Sequence, residues 1–207
     1  GVYRSWGQYD KAMENNQQAL SIARRLGMER EISTYLNIIG EVYYYLDQYD
    51  KAIDHFQQAL VIDRKLGSEA GIAMDLSSIG GVYNSWSQYD KAIENYQQAL
   101  AIDRRLGIEP QIVSHLGNIG GVYNSWGQYD KAIENYQKAL AIARRLGMEK
   151  EISTYLQKIG GVYHSWGQYD KAIENFQQAL TLFRKLGTEG GIALSLSNIG
   201  EVHNSWG

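Results

Sequence analysis

Residues 120–147 read GGVYNSWGQYDKAIENYQKALAIARRLG, and residues 80–107 repeat this text with three substitutions. The substitutions are Ser87 for Gly127, Gln98 for Lys138 and Asp103 for Ala143. Looser copies, each displaced by a multiple of forty residues, occupy residues 160–187, 40–67 and 1–27. A fixed period of this length is typical of a solenoid, in which each unit contacts mainly its neighbours.

One period holds two helical patterns. In residues 109–126 apolar side chains recur at spacings of four and three, which places them in one stripe on a helix. The stripe consists of Ile112, Leu116, Ile119, Tyr123 and Trp126. We call this segment helix A. A second stripe predicts helix B over residues 129–146, and Gly147 follows it as a candidate C-cap.

The connection between the two helices, at Gly127 and Gln128, is so short that they must run antiparallel as a hairpin. We expect helices A to begin near Glu29, Glu69, Glu109, Glu149 and Glu189. Helices B are predicted at residues 9–26, 49–66, 89–106, 129–146 and 169–186. The first six residues are predicted to be the tail of a cut helix A.

The repeat predicts an all-α solenoid of antiparallel helical hairpins that forms one domain over residues 1–207. Its units are residues 1–27, 28–67, 68–107, 108–147 and 148–187, with a partial unit at 188–207. The chain starts with Gly1 rather than Met and opens partway through a unit. We therefore expect it to be a piece of a longer protein.

The composition argues against several kinds of partner. A net charge of only −3 gives no overall electrostatic case for nucleic acid or anionic membranes. The absence of cysteine removes disulfides and thiolate metal sites. No apolar run approaches the roughly 20 residues that a membrane helix requires. We therefore expect a cytoplasmic protein without nucleic-acid or membrane partners.

The sequence has no pattern typical of a catalytic or cofactor site. It lacks a glycine-rich phosphate loop and a nucleophile elbow. The histidines occupy different positions of the repeat and have no suitable second metal ligand three or four residues away, as holds for His55, His115, His164 and His203. We therefore expect no enzyme activity, no cofactor and no bound metal.

The pattern of large, small and aromatic residues resembles the tetratricopeptide repeat. The matching positions in one unit are Leu116, Ile119, Gly120, Tyr123, Gly127, Tyr129, Ala132, Ile133, Tyr136, Ala139 and Leu140. The period of 40 instead of 34 and the missing proline after helix B depart from the usual pattern. They are similar to the longer units of kinesin-light-chain-like, Pins-like and bacterial signalling arrays. The resemblance implies a right-handed superhelix in which helices A line a concave groove that holds peptides or partner domains.

A few positions of helix A vary between units while the scaffold positions hardly change. At about 100° per residue these positions fall within one arc, opposite the stripe that contains Ile32, Leu36, Ile39 and Tyr43. We call this arc the groove face. The partner-binding residues predicted on it are Asn37, Ile38, Glu41, Tyr44, Tyr45, Ser78, Gly81, Asn84, Asn118, Gly121, Asn124, Gln157, Lys158, Gly161, His164, Asn198, Glu201 and Asn204.

The chemistry of these residues suits an extended peptide. An asparagine amide offers a donor and an acceptor together, so it can pair with a backbone peptide group. The alternative is that short polar residues simply solvate an exposed helix. Glycine costs about 1 kcal/mol against alanine inside a helix, and we interpret Gly81 and its equivalents as room for a ligand backbone. Tyr44 and Tyr45 make one end aromatic, whereas Lys158 and His164 make the later part slightly basic.

Two kinds of residue recur along the array, basic pairs and tryptophans, and each has two interpretations. Basic pairs at the ends of helices B could bind phosphates, or they could stabilise helix C-termini and solvate an edge. These pairs are Arg24-Arg25, Arg64-Lys65, Arg104-Arg105, Arg144-Arg145 and Arg184-Lys185. We expect Asp63 and Asp103 to lie beside two of them. The tryptophans that close helices A could stack ligands, but packing between hairpins is the favoured reading for Trp86, Trp126 and Trp166.

The function predicted from these features is non-enzymatic protein binding through the groove face. One alternative is a sensor or regulatory array whose effector, a protease or a nucleotide-hydrolysing domain, lies elsewhere in a larger protein. A second is head-to-tail self-assembly, because the terminal units lack polar caps and Gly207 is equivalent to Gly7 five periods earlier.

Overall fold

The computed structural model describes the backbone of residues 2–207 and the side chains of Tyr9 and of residues 11–207. This part of the chain is helical throughout, with short turns and no strand. The helices are α1 (Val2–Leu26), α2 (Glu29–Tyr45), α3 (Tyr49–Leu66), α4 (Glu69–Ser85), α5 (Tyr89–Leu106), α6 (Glu109–Ser125), α7 (Tyr129–Arg145), α8 (Glu149–Ser165), α9 (Tyr169–Lys185) and α10 (Glu189–Trp206). The predicted all-α array of helical hairpins is confirmed.

Two compact units divide the chain, at Gly1–Leu106 and Gly107–Gly207. In the first unit α2 pairs with α3 and α4 pairs with α5 as antiparallel hairpins, and α1 packs on α2. In the second unit α6 pairs with α7 and α8 pairs with α9, while α10 packs on α9. Helices A are therefore α2, α4, α6, α8 and α10. That the whole chain forms a single solenoid stays a prediction.

The helix boundaries agree with the repeat pattern except at the start of the chain. Every helix A begins at its predicted glutamate, from Glu29 to Glu189. The expected turn at Gly7 is wrong, because α1 is one helix from Val2 to Leu26. A continuous helix keeps the backbone hydrogen bonds that a turn would break.

Close approach of the two helices explains one glycine in each hairpin. A Cβ atom on Gly120 would lie 2.7 Å from the ring of Tyr136, and one on Gly160 would lie 2.8 Å from the ring of Phe176. These glycines therefore face helix B. Large apolar side chains surround these contacts between helices. In the first unit, for example, Phe56 packs with residues such as Leu76 and Ile79.

The turns inside the hairpins require a left-handed backbone. Gly127 and Gly167 adopt φ values of 75° and 74°, which glycine tolerates without a steric cost. In the first unit the same position holds Asp47 and Ser87, whose φ values are 55° and 59°. These two side chains carry strain that the glycines of the second unit avoid.

Candidate partner-binding face

Most of the predicted groove-face residues are at least partly exposed. In the first unit these are Ile38, Glu41, Tyr44, Tyr45, Ser78, Gly81 and Asn84. In the second unit they are Asn118, Gly121, Asn124, Lys158, Gly161, His164, Asn198, Glu201 and Asn204. Each unit therefore presents a face of mixed polar, glycine and aromatic positions, carried on α2 and α4 in one unit and on α6, α8 and α10 in the other.

Asn37 and Gln157 differ from the prediction because they are buried between successive helices A. The Nδ2 atom of Asn37 donates to Oδ1 of Asp75 over 2.7 Å. Gln157 donates to the hydroxyl of Ser195 over 2.6 Å and accepts from Nδ2 of Asn198 over 2.8 Å. Their amides join one repeat to the next, so these two residues are corrected from open-face positions to internal contacts.

Three other groove-face asparagines do not bond to a neighbouring repeat through their side chains. Asn84, Asn118 and Asn124 are half-buried on helices A, and none has a hydrogen-bond partner among the described residues. The Oδ1 atom of Asn84 is even buried without a donor. A polar atom that is withdrawn from water without a partner is costly, so Oδ1 of Asn84 is well suited to accept a bond from outside the chain. The partly exposed amides of Asn118 and Asn124 are accessible to a partner.

Residues at the position of Tyr44 reach toward the next helix A. The hydroxyl of Tyr44 lies 2.9 Å from Oγ of Ser85. Nε2 of His164 lies 3.1 Å from Oγ of Ser205. The serine partners were not predicted from the sequence, since their role depends on how neighbouring repeats stack.

The groove-face glycines have more room than the glycines inside the hairpins. A Cβ atom on Gly81 would lie 3.4 Å from the hydroxyl of Tyr96, an ordinary contact, and Gly121 has the same relation to Tyr136 at 3.5 Å. At Gly161 nothing lies within 4 Å. Packing within the protein therefore does not require glycine at these positions.

A small pocket opens on the groove face of the first unit. Its volume is about 220 Å³, and its walls are Glu41, Tyr44, Tyr45, Phe56, Ser78, Gly81 and Val82. Five of these seven residues were predicted from the sequence as groove-face positions. We call it the tyrosine pocket. Phe56 and Val82 were missed because they belong to the hydrophobic core, whose inner surface forms the floor.

Lys158 is the cation of the groove face in the second unit. Its Nζ lies 5.6 Å from the ring centre of Tyr136 and 5.7 Å from that of Tyr155, within the range of cation–π attraction. Desolvation by these neighbours lowers the pKa of Lys158. Burial raises the pKa of both tyrosines to about 12, so they stay neutral at physiological pH.

The tryptophans at the ends of helices A pack between hairpins. Trp86 lies 6.1 Å from Tyr49, and Trp166 lies 6.1 Å from Tyr129, measured between ring centres. Each tyrosine opens the helix B of the preceding hairpin. The prediction that Trp86 and Trp166 pack between hairpins is therefore confirmed.

The basic pairs at the ends of helices B are partly neutralised by glutamates of the same chain. Arg145 forms a bidentate pair with Glu109 at 2.6 and 3.1 Å, and Arg105 pairs with Glu69 at 2.7 Å. Lys65 with Glu29 and Lys185 with Glu149 repeat this contact. Asp63 and Asp103, which precede two of the basic pairs in the sequence, are buried and form none of these ion pairs. First-turn glutamates of helices A take that role instead.

Two features were missed at the sequence level. A cavity of about 320 Å³ lies on the helix B side of the second unit, where Arg144, Tyr163 and Glu174 contribute to its walls. The other is a buried polar cluster in the first unit, where the hydroxyl of Ser33 donates to Asp63 over 2.8 Å and Asp75 is fully buried nearby. A signal for the cluster existed, since Asp75 stands where other units have Tyr, His or Ser.

None of the helices in the described part of the chain combines the length and apolar character needed to cross a bilayer. Nor does any group of three or more His, Cys, Asp or Glu side chains in residues 11–207 have the arrangement to hold a metal ion.

Comparison with known proteins places the chain in a family. Residues 30–105 and 111–185 match the tetratricopeptide repeat. No curated protein sequence matches the chain. Among solved structures, BtubC (BKLC) from P. vanneervenii is similar with a TM-score of 0.82 and 20% identity, covering 95% of this chain and 83% of that one.

Two further structures share the fold. Nearly identical repeats of a putative kinesin light chain from Podosopora anserina have a TM-score of 0.75 and 19% identity, covering 90% of this chain and 92% of that one. A Rap protein complexed with competence and sporulation factor has the same two values, and the match covers 98% of this chain but 60% of that protein. The family match spans most of the sequence, and the chain therefore belongs to the tetratricopeptide repeat family.

Proposed function

We propose that this chain is a non-enzymatic module that binds a peptide or partner domain on the groove faces of its two units. The observation that carries the proposal is the set of amides at Asn84, Asn118 and Asn124, which have no partner among the described residues. Amides that serve the fold, such as Asn37 on α2 and Gln157 on α8, donate to a side chain of the next repeat, whereas these three amides form no such bond. A side chain that only solvates a helix would keep its polar atoms in water, but Oδ1 of Asn84 is buried without a donor.

The similar structures agree with this role. The Rap protein, which shares the fold, is complexed with competence and sporulation factor. A groove lined by amides can hold an extended backbone whatever its side chains, and neighbouring residues then select among partners. A cytoplasmic location stays a prediction.

The proposal is tested by capturing partners from a lysate of the source organism. The bait variants are Asn84→Ala for the first unit and Asn118→Ala with Asn124→Ala for the second. The matched control changes Asn95, Asn135 and Asn175 to Ala on helices B. Each of those three amides already donates to a backbone carbonyl one turn earlier at 2.8 Å, and all three lie outside the groove face.

We expect a partner that the unchanged chain and the control retain but that at least one groove-face variant loses. Circular dichroism must show that all variants are equally helical. A partner that survives both groove-face changes and is lost from the control would place binding on the helix B side and refute the proposal.

A second candidate function is head-to-tail self-association, which one observation favours. Leu196 on α10 is 49% exposed, whereas Leu36, Leu76, Leu116 and Leu156 at the same position are at most 4% exposed. A second copy would cover this apolar surface. Light scattering should then show a mass that rises with concentration and falls back in Leu196→Gln. The control is Val61→Gln, which alters an exposed apolar residue on α3. A constant monomer mass would exclude this candidate.

A further inference from the structure

The tyrosine pocket lies where the repeat departs most sharply from its own pattern. Glu41 stands where α4, α6 and α8 have glycine, and Tyr45 stands where α4, α6, α8 and α10 have serine. Tyr44 replaces asparagine or histidine. Three changes on a single turn of α2 therefore give the first unit a feature that α4, α6 and α8 lack.

The two tyrosine rings form a corner. Their centres are 5.5 Å apart, and their planes meet at 57°. Tyr44 is held by its hydroxyl contact with Ser85 at 2.9 Å and by packing against Tyr49. Tyr45 is stacked on Tyr9 at 6.0 Å, although it stays 62% exposed. Because neighbours hold both rings, the corner exists before any ligand binds, which reduces the entropy lost on binding.

Electrostatics favour a positive group in this corner. The faces of aromatic rings carry partial negative charge and attract cations within about 6 Å. Glu41 adds a full negative charge one turn earlier on the same helix and lines the same pocket. Its carboxylate has no cation partner among the described residues. The charge in the corner is therefore available to a group from outside.

The size of the pocket limits what that group can be. Sites for drug-sized ligands occupy roughly 300 to 1,000 Å³. The tyrosine pocket, at about 220 Å³, is smaller and suits a single side chain. Its open position on the groove face would let the rest of a peptide continue along the helices.

We propose that the tyrosine pocket binds the side chain of a lysine or arginine of a protein partner. This inference rests on the proposed function, because it names the chemistry that one part of the groove face selects. An apolar anchor is the rival occupant, since the walls are also hydrophobic. The proposal says that the charge of the side chain, and not only its apolar stem, decides binding.

The test uses small probes, so that it does not depend on finding the natural partner. Acetyl-Gly-Lys-Gly-amide, its arginine analogue and its norleucine analogue are titrated into the isotope-labelled chain at low salt and followed by NMR. The variants are Glu41→Gln and Tyr45→Ser. Serine is the residue at this position in the other units, so Tyr45→Ser keeps a side chain that the repeat tolerates.

The matched control is Glu94→Gln. Glu94 is an exposed glutamate on α5 that belongs neither to the groove face nor to the tyrosine pocket. We expect lysine or arginine probes to bind about fivefold more tightly than norleucine, which corresponds to the 1 kcal/mol of a modest cation–π contact. Glu41→Gln and Tyr45→Ser should remove this preference, while Glu94→Gln should leave it unchanged.

Equal binding of the norleucine probe, or a preference that survives both pocket variants, would overturn the inference. So would the absence of binding by every probe up to millimolar concentrations. Any of these results would leave the proposed function standing if the capture experiment still depends on Asn84, Asn118 or Asn124. Conversely, selective probe binding without a groove-dependent partner would support the pocket and count against the wider proposal.

Discussion

Asp75 is a carboxylic acid held in the interior of the first unit. Its side chain is fully buried on α4, and Asn37 donates to one of its oxygens over 2.7 Å. Burial raises the pKa of Asp75 to about 7, and the bond from Asn37 opposes the rise. The like charge of Asp63 and a hydrogen bond with its side chain add smaller upward contributions to the pKa. The fold therefore favours the protonated acid.

This raised pKa predicts how stability depends on pH. An unfolded aspartate titrates near 3.8, so between about pH 4 and pH 7 the folded chain binds a proton that the unfolded chain has lost. Through this residue the free energy of unfolding falls as pH rises across that range. Asp75→Asn is neutral at every pH and should be more stable than the unchanged chain at pH 8, with the difference disappearing below pH 4.

Chemical denaturation at several pH values measures that difference directly. The control is Asp54→Asn, which changes a carboxylate on α3 whose side chain is 66% exposed. If the curves of Asp75→Asn and the unchanged chain run parallel from pH 4 to pH 8, Asp75 does not titrate as described.

Gly161 and its neighbour Gly160 should respond oppositely to alanine. A Cβ at Gly161 meets open space, so Gly161→Ala should stabilise the chain by about 1 kcal/mol through helix propensity. A Cβ at Gly160 would lie 2.8 Å from Phe176, so Gly160→Ala should destabilise it. Denaturation measures both effects. If the space at Gly161 serves a partner backbone, capture should weaken in Gly161→Ala although its stability rises. Unchanged capture would remove the binding role.

For single residues, the sequence predicted solvent exposure better than it predicted hydrogen-bond partners. The variable helix A positions were expected to form an open face, and most of them are at least partly exposed. That this face binds a partner stays a prediction. The burial of Asn37 and Gln157 was not predictable, because each bonds a residue 38 positions later. Such a contact depends on how one repeat rests on the next, and a helical wheel contains no information about that distance.

At the level of the elements, the turns inside the hairpins differ between repeats in the residue that adopts the left-handed backbone. This difference affects the free energy of unfolding. Ser87 adopts a left-handed φ of 59°, whereas Gly127 adopts 75° at the same position of the next repeat. A left-handed conformation costs a residue with a side chain roughly 1 to 2 kcal/mol.

Exchanging these two residues is therefore a reciprocal test. Ser87→Gly should raise the free energy of unfolding by about 1 kcal/mol, less the added entropy of glycine in the unfolded chain, and Gly127→Ser should lower it similarly. Denaturation of both variants, with circular dichroism to confirm equal helicity, provides the measurement. A Ser87→Gly variant that is less stable would show that the serine makes a compensating contact.

Helix boundaries were the most predictable property of the elements. Each helix A starts at a glutamate, and glycines with positive φ follow the B helices at Gly67 and Gly147, so the local signals coincide with the period. The exception is α1, where Gly7, the equivalent of Gly127, remains helical. Glycine therefore permits a turn at this position but does not by itself impose one.

For the whole molecule, the forty-residue repeat determined the fold class, since hairpins with a constant apolar pattern can bury that pattern only by stacking. The partner-binding role is less directly encoded. Groove residues are identified at positions where the amino acid differs from one repeat to the next. Such a difference can serve internal packing, as at Asn37, or an external ligand, as we propose for Tyr45. Contacts in three dimensions are needed to separate the two.

The most direct test of the central claim is site-specific photo-crosslinking in the captured complex. Benzoylphenylalanine is placed at Ser125, the exposed α6 position that corresponds to Tyr45 on α2, or at Asn135, on α7, in otherwise unchanged chains. Binding through the groove face predicts an adduct with the partner from position 125 and none from position 135. An adduct from position 135 alone, with both chains equally folded and partner-bound, would contradict the account.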